Sequence, residues 1–195
     1  MPLLAVLLLA AQAGGTTPEA VPSAARAYPV CVGVRVTASD QALPPKNLTF
    51  SSRETLDLLL RPRVRLDLQG EHLMQLKVYT PGGFLYQVIT LPFVGAGLSD
   101  GRDRPTHVTN GAAARATDPP PPRVVPGFPR PLETQRLVPA AGDAAARAQY
   151  ELRARLPVAG TSITLSSLYG TWSVQPYLDG HTEPCGPATK FTIRD

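Results

Sequence analysis

The segment LMQLKVYTPGGFLYQVITLPF, residues 73–93, predicts a β-hairpin and decides the fold class of this chain. Apolar and polar residues alternate from residue 74 to residue 79, which is the pattern of a half-buried strand. The turn sequence TPGG at residues 80–83 supplies the fixed φ of proline and the positive φ of glycine that a type II turn needs. Residues 84–93 are rich in β-branched and aromatic side chains, so they predict the returning strand.

Similar patterns lie on both sides of this hairpin. They cover residues 28–37, 64–68, 150–156 and 172–178, with shorter apolar pieces at 47–50, 163–165 and 191–193. Residues 55–60 fit either a helical turn or a buried strand, because a short apolar run does not separate the two. The connections are too short for parallel crossovers, except across residues 95–147. We therefore predict an all-β fold, an antiparallel β-sandwich of seven or eight strands.

Asp179-Gly180 follows one of these alternating segments and predicts a tight turn, because a type I′ turn needs positive φ at both central residues. The next eight residues hold two prolines and Cys185, so we expect an irregular hairpin there. Together, LYGTWSV at 168–174 and YLDG at 177–180 resemble the penultimate hairpin of bacterial immunoglobulin-like and macroglobulin-type modules. In those modules a final strand with an aromatic residue follows, here Phe191, and the turn at 78–83 is similar to their central hairpin.

The resemblance implies an immunoglobulin-like β-sandwich that binds or scaffolds other molecules rather than catalysing a reaction, although fold alone does not define function. Residues 95–147 depart from the pattern of those modules. They contain four consecutive prolines at 119–122 and the sequence PGFPRP at 126–131, with little hydrophobic periodicity. This composition favours a long Pro-rich disordered insert with polyproline II character. We therefore predict a single β-sandwich domain over residues 28–195, interrupted by a disordered insert at 95–147.

The N-terminus carries an apolar run at residues 3–11, followed by Ala11-Gln12-Ala13. Small residues in this arrangement are typical of a signal-peptidase site, and the run is shorter than the about 20 residues that span a bilayer. We predict a cleaved signal peptide at 1–13 and a flexible lead-in at 14–27, although the n-region lacks Lys and Arg; a buried apolar segment is the alternative. No later stretch is long and apolar enough to cross a membrane, so the mature chain is expected to be periplasmic or secreted.

The chain has two cysteines, Cys31 and Cys185. In an oxidising compartment such a pair predicts one disulfide bond, and two unrelated thiols are the alternative. Strict alternation places Cys31 on the face opposite the valines at positions 30, 32, 34 and 36. A bridge from that face is expected to run along the outside or the edge of the sandwich.

The formal net charge is +4, and nearly all of the basic residues are arginine. Abundant Arg, Ala and Pro are typical of GC-rich bacterial genomes. Arg61, Arg63 and Arg65 share one face of a predicted strand at a spacing of roughly 7 Å, which makes them a candidate anion-binding face. The alternative is an outward charged face that prevents edge-to-edge aggregation.

Catalytic and metal-binding patterns are weak. His181, Glu183 and Cys185 are alternate residues and could meet a metal, but a disulfide explains Cys185 better and no second ligand cluster exists. Ser166 or Ser167 with Asp179 and His181 has the residue types of a hydrolase, without a G-x-S-x-G elbow. We therefore predict no catalytic residues, no metal and no cofactor.

These observations lead to a functional hypothesis. We expect an exported, non-enzymatic interaction or scaffolding module of the bacterial cell envelope that binds protein partners through loops or an exposed sheet edge. Binding of an envelope polyanion or carbohydrate by the arginine face is the alternative, and an unrecognised hydrolase is a further one. Nucleic acid is not an expected partner, because the chain lacks an aromatic RNA-binding motif and carries an export signal.

Overall fold

A computed structural model describes residues 30–41, 43–65, 68, 70–95, 119–140 and 149–195. These residues form eleven strands and one short helix, which confirms the predicted all-β class. The predicted signal peptide at 1–13 and lead-in at 14–27 lie outside the described residues. No described helix has the length and apolar character needed to span a membrane.

The strands are β1 (Cys31–Ala38), β2 (Thr49–Ser51), β3 (Asp57–Arg65), β4 (Glu71–Tyr79), β5 (Leu85–Val94), β6 (Gln135–Arg136), β7 (Val138–Pro139), β8 (Gln149–Glu151), β9 (Ala154–Pro157), β10 (Gly170–Leu178) and β11 (Thr189–Arg194), and the helix is α1 (Ser162–Leu165). Four strands have only two or three residues, which is too short for a period of two to be visible in sequence. The predicted strand at 150–156 is two strands, β8 and β9. These short elements explain why the sequence predicted seven or eight strands.

The strands form two sheets. Sheet A has the order β1-β3-β8-β7, with β9 also paired to β3, and sheet B has the order β2-β11-β10-β4-β5-β6. Among the described ranges, seven strand pairings are antiparallel, while β2–β11 and β5–β6 are parallel. Both parallel pairs join strands that are far apart in sequence, so the chain between them is long enough for a crossover. The predicted antiparallel pairing is therefore found in the centre of each sheet, whereas the outermost pairs at the two edges of sheet B are parallel.

The two sheets share one hydrophobic core. On β4 the side chains alternate between buried and partly exposed along the strand, as the sequence predicted. Trp172 is fully buried at the centre of the core, stacks on Phe191 at 6.4 Å, and donates its indole N–H to the carbonyl of Leu168 at 2.9 Å. Burial of these large apolar side chains removes them from water and is the main stabilising contribution to such a fold.

The structure resolves two short segments whose conformation was ambiguous in sequence. Residues 57–60 belong to β3, so the apolar run after residue 55 is a buried strand. The short apolar piece at residues 163–165 lies in α1. The Thr161 side chain accepts a hydrogen bond from the backbone N–H of Ile163, which caps the helix, and Ile163 fills the core.

A bulge in β1 changes the predicted position of the disulfide bond. Cys31 lies opposite Val64 and Gly33 lies opposite Arg63, so one extra residue separates them. Because of this extra residue, the alternation of inward and outward side chains changes at the start of β1. Val32 is therefore exposed and Cys31 is buried. Cys31 and Cys185 form the predicted disulfide bond, but it lies inside the core and not on the outside of the sheets.

Part of the predicted disordered insert has a defined structure. Residues 119–140 contain β6, β7 and an isolated bridge between Arg123 and Leu132. The strand β6 adds to the edge of sheet B and β7 to the edge of sheet A, and Leu137 between them is buried. Backbone hydrogen bonds from β6 to β5 and from β7 to β8 hold this segment in a defined conformation, which its composition did not predict. Residues 96–118 and 141–148 of the insert lie outside the described residues.

We expect the double substitution Cys31→Ala and Cys185→Ala to lower the free energy of unfolding by about 4 kcal/mol, because the bond closes a very long loop in the unfolded chain. The cysteines are separated by 154 residues in sequence. The measurement is urea unfolding followed by the fluorescence of Trp172. A loss below about 1 kcal/mol would contradict this role of the bond.

Candidate functional site

The hairpin of β4 and β5 carries a cluster of exposed apolar side chains. Phe84 is 75% exposed, Leu85 54% and Val88 38%. No charged residue lies between Lys77 and Asp100 in the sequence. Exposed apolar side chains without charged neighbours in the chain are typical of surfaces that bind a partner.

The strand β5 is also a sheet edge over most of its length. It pairs with β4 from Leu85 to Val94, but β6 covers its other side only at Phe93 and Val94. Within the described residues, no strand pairs with the outer side of residues 85–92. Sheet edges usually carry charges, prolines or bulges that prevent pairing with other chains. We call residues 84–91 the β5 edge.

A bulge partly protects the start of this edge. Val78 lies opposite Gln87 and Tyr79 opposite Leu85, which leaves Tyr86 as the extra residue on β5. The Tyr86 ring packs edge-on against Trp172 at 5.1 Å, and its hydroxyl lies 3.1 Å from that of Ser162. The bulge therefore anchors the hairpin to the core, while residues 87–91 continue as an uncharged edge ending before Pro92.

The outer face of sheet B beside the β5 edge is aromatic and polar. The Lys77 ammonium lies 3.9 Å from the centre of the Tyr177 ring, and Val88 is directly opposite Lys77. Burial raises the pKa of the Tyr79 hydroxyl above its ordinary value, and its hydrogen bond with Tyr177 raises it further. Tyrosine combines a large apolar ring with a hydrogen-bonding group, which is why it is enriched at protein interfaces.

The three arginines of the predicted anion-binding face lie on the outer face of β3, but their environments differ. Arg61 is largely buried and its guanidinium is 3.6 Å from the carboxylate of Glu151, which is also buried. Arg63 is half-buried and Arg65 is exposed, and the Nε atoms of both Arg61 and Arg63 are buried without a hydrogen-bond partner. The three side chains therefore do not form a uniform exposed row.

The aspartate proposed for a hydrolase is engaged elsewhere, while Ser166 and Ser167 are exposed. The Asp179 carboxylate lies 2.8 Å from Nδ1 of His72 and accepts a hydrogen bond from the backbone N–H of Leu73. Asp179 and Gly180 have φ values of +51° and +72°, as the predicted turn requires. The aspartate therefore joins the end of β10 to the start of β4, which is a structural role.

His72 is the residue of this group that sequence reasoning missed. It lies near the start of β4, where it is buried and stacks on Phe93 at 5.3 Å. The signal was present in the sequence, because His72 has the same parity as the buried Met74 and Leu76.

Metal ligands do not converge in the described part of the chain, where no group of three or more His, Cys, Asp or Glu could hold an ion. Cys185 is bonded to Cys31, so the alternate residues His181, Glu183 and Cys185 lack a free thiolate. The arrangement of these residues carries no argument for chemistry at this loop.

No protein-family model matches this sequence, and no curated protein is significantly similar to it.

The buried ion pair gives a stability prediction. We expect Glu151→Gln to lower the free energy of unfolding by about 3 kcal/mol, because it leaves the largely buried Arg61 without its carboxylate. Asp57→Asn is the control, since Asp57 pairs at 3.9 Å with the 75% exposed Arg155, and a loss below about 1 kcal/mol is expected there. If urea unfolding showed equal losses of unfolding free energy in the two variants, the buried pair would not be more stabilising than the exposed one.

The raised pKa of Tyr79 gives a pH prediction. Because the folded chain holds the phenolic proton more tightly than the unfolded chain, this contribution to stability is complete below the ordinary tyrosine pKa of 10.0. It is lost as the pH rises through the folded pKa. Absorbance at 295 nm should show a tyrosine that ionises later than the others, and Tyr79→Phe should remove that late phase. Persistence of the phase in this variant would show that another tyrosine causes it.

Proposed function

We propose that this chain is an exported, non-enzymatic interaction module of the bacterial cell envelope that binds a protein partner along the β5 edge. The module is an immunoglobulin-like β-sandwich. The observation that carries the proposal is an uncharged sheet edge with three exposed apolar side chains, Phe84, Leu85 and Val88.

The strand order supports the sandwich. In sheet A, β1-β3-β8-β7 follows the order A-B-E-D of immunoglobulin domains, with β8 and β9 together in the position of strand E. In sheet B, β11-β10-β4-β5 follows the order G-F-C-C′ of the variable type. One core is shared by the two sheets, as this architecture requires.

Two features support export. The apolar run at residues 3–11 followed by Ala11-Gln12-Ala13 fits a cleaved signal peptide. The disulfide bond between Cys31 and Cys185 is typical of proteins that fold in an oxidising compartment. Periplasmic or secreted localisation is consistent with both features.

The chemistry of the β5 edge supports a protein partner in extended conformation. An unpaired edge offers backbone N–H and C=O groups to a new strand, and exposed side chains on either face give specificity. The exposed apolar tip at Phe84 extends the contact area beyond one strand.

Site-specific photo-crosslinking tests this proposal in the cells that produce the chain. A benzophenone amino acid at Val88 should give a discrete protein adduct, whereas the same group at the 72% exposed Leu43 should not. Thr90→Lys places a charge on β5 and should reduce the Val88 adduct at least about tenfold, as edge charges oppose strand addition. Thr171→Lys, an exposed position on β10 of the same sheet, is the matched control and should leave the yield unchanged. Absence of the adduct, or equal yields in both lysine variants, would contradict binding at the β5 edge.

A further inference from the structure

We propose that a groove on the outer side of β1 is an oxyanion-binding site in which Arg63 is the principal ligand. The groove has a volume of about 430 Å³, and Arg35, Arg63, Pro44, Pro187 and Thr189 are among its lining residues. Its ligand class is a phosphate, sulfate or carboxylate group. This site is separate from the β5 edge and does not depend on the function proposed for that edge.

The charge balance around Arg63 favours an anion. In the register of sheet A, Arg63 lies between Gly33 on β1 and Glu151 on β8. The Glu151 carboxylate forms its ion pair with Arg61, and none of the described residues forms an ion pair with Arg63. Two guanidinium groups are therefore partly or largely buried beside one carboxylate, and Nε of Arg61, Nε of Arg63 and Oε2 of Glu151 are buried without hydrogen-bond partners. Because a partly buried charge is costly without a counter-charge, an anion in the groove would stabilise this arrangement.

The space for the ligand exists because residue 33 is glycine. Gly33 lies directly opposite Arg63 and belongs to the bulge of β1, where its φ of +143° disfavours other residues. A Cβ atom at this position would lie 3.8 Å from Pro187, so a larger side chain would occupy the groove. The bulge that turns Cys31 inward therefore also leaves an opening beside the Arg63 side chain.

The opposite wall provides a hydroxyl donor. Thr189 Oγ1 accepts the backbone N–H of Val34 at 3.3 Å, which leaves the hydroxyl proton able to donate to a ligand. Arg35 adds a second guanidinium to the lining. Guanidinium groups bind phosphate and carboxylate through two parallel hydrogen bonds, so this donor set matches an oxyanion.

The disulfide bond holds this wall against β1. Cys185 is bonded to Cys31, and the Cys31 N–H donates to the carbonyl of Cys185 at 2.8 Å. Gly186 packs so closely that a Cβ atom would lie 2.4 Å from the Cys31 carbonyl oxygen. The segment that brings Pro187 and Thr189 to the groove is therefore fixed before a ligand arrives, which lowers the entropy cost of binding.

An NMR titration of the full mature chain tests the site. Inorganic phosphate is added at constant ionic strength, and the backbone amide signals of Gly33, Arg35 and Thr189 should shift saturably. Arg63→Gln should weaken binding at least about tenfold, the loss expected for a charged hydrogen-bonding partner. Arg155→Gln is the matched control, because Arg155 is exposed on the outer face of the same sheet, and its affinity should be unchanged.

Two sources of the anion give different results. If the groove serves an anionic polymer, linear polyphosphate should bind at least about tenfold more tightly than phosphate when both are expressed per phosphate group. If it serves a free anion, the two affinities should agree. Shifts that do not saturate, or equal weakening by Arg63→Gln and Arg155→Gln, would overturn the site. Should Arg63→Gln fail to fold, Arg63→Lys keeps the charge and loses the two-bond geometry, and unchanged affinity in that variant would also overturn it.

Discussion

The disulfide bond between Cys31 and Cys185 joins the first strand of sheet A to the loop between the last two strands of sheet B. It is buried in the core that the sheets share, so the two layers are connected covalently as well as by apolar packing. The same bond fixes the segment that carries Pro187 and Thr189 beside β1. Core, groove and the argument for an oxidising compartment therefore all depend on this one link.

The two surfaces described on this fold differ in their chemistry. The β5 edge has no charge and exposes apolar side chains, which suits backbone pairing and hydrophobic contact with a protein. The outer face of sheet A is rich in arginine, and the buried carboxylate of Glu151 is engaged by Arg61. Because the β5 edge and the groove beside Arg63 share no residue, a protein partner and an anion would each be bound through their own contacts.

Much of the fold follows from the sequence, because period-two burial marks long strands directly. The strand β10, the turn at Asp179-Gly180 and the pairing of β4 with β5 follow the prediction. The turn at 80–83 was predicted wrongly as type II, because the positive φ lies at Gly83 and not at Gly82. The bulge at Gly33 was not predictable in this way, since one extra residue reverses parity without changing composition. The two-residue strands β6 and β7 carry no period, so their order arises only from the sheet edges that they join.

The candidate sites were harder to predict than the fold. The face of the arginines was correctly inferred from alternation, but the partner of Arg61 was not, because Glu151 is distant in sequence and reaches β3 only through β8. The β5 edge could have been recognised from the absence of charge between Lys77 and Asp100, although sequence alone does not reveal which strand lies at an edge.

We propose that this chain is exported and then closed by the Cys31–Cys185 bond. Peptide mapping of the protein isolated from its own cells under non-reducing conditions is the decisive experiment. We expect a chain that begins after residue 13 and a peptide pair linked through Cys31 and Cys185. An intact N-terminus at Met1, or two free thiols, would refute this proposal.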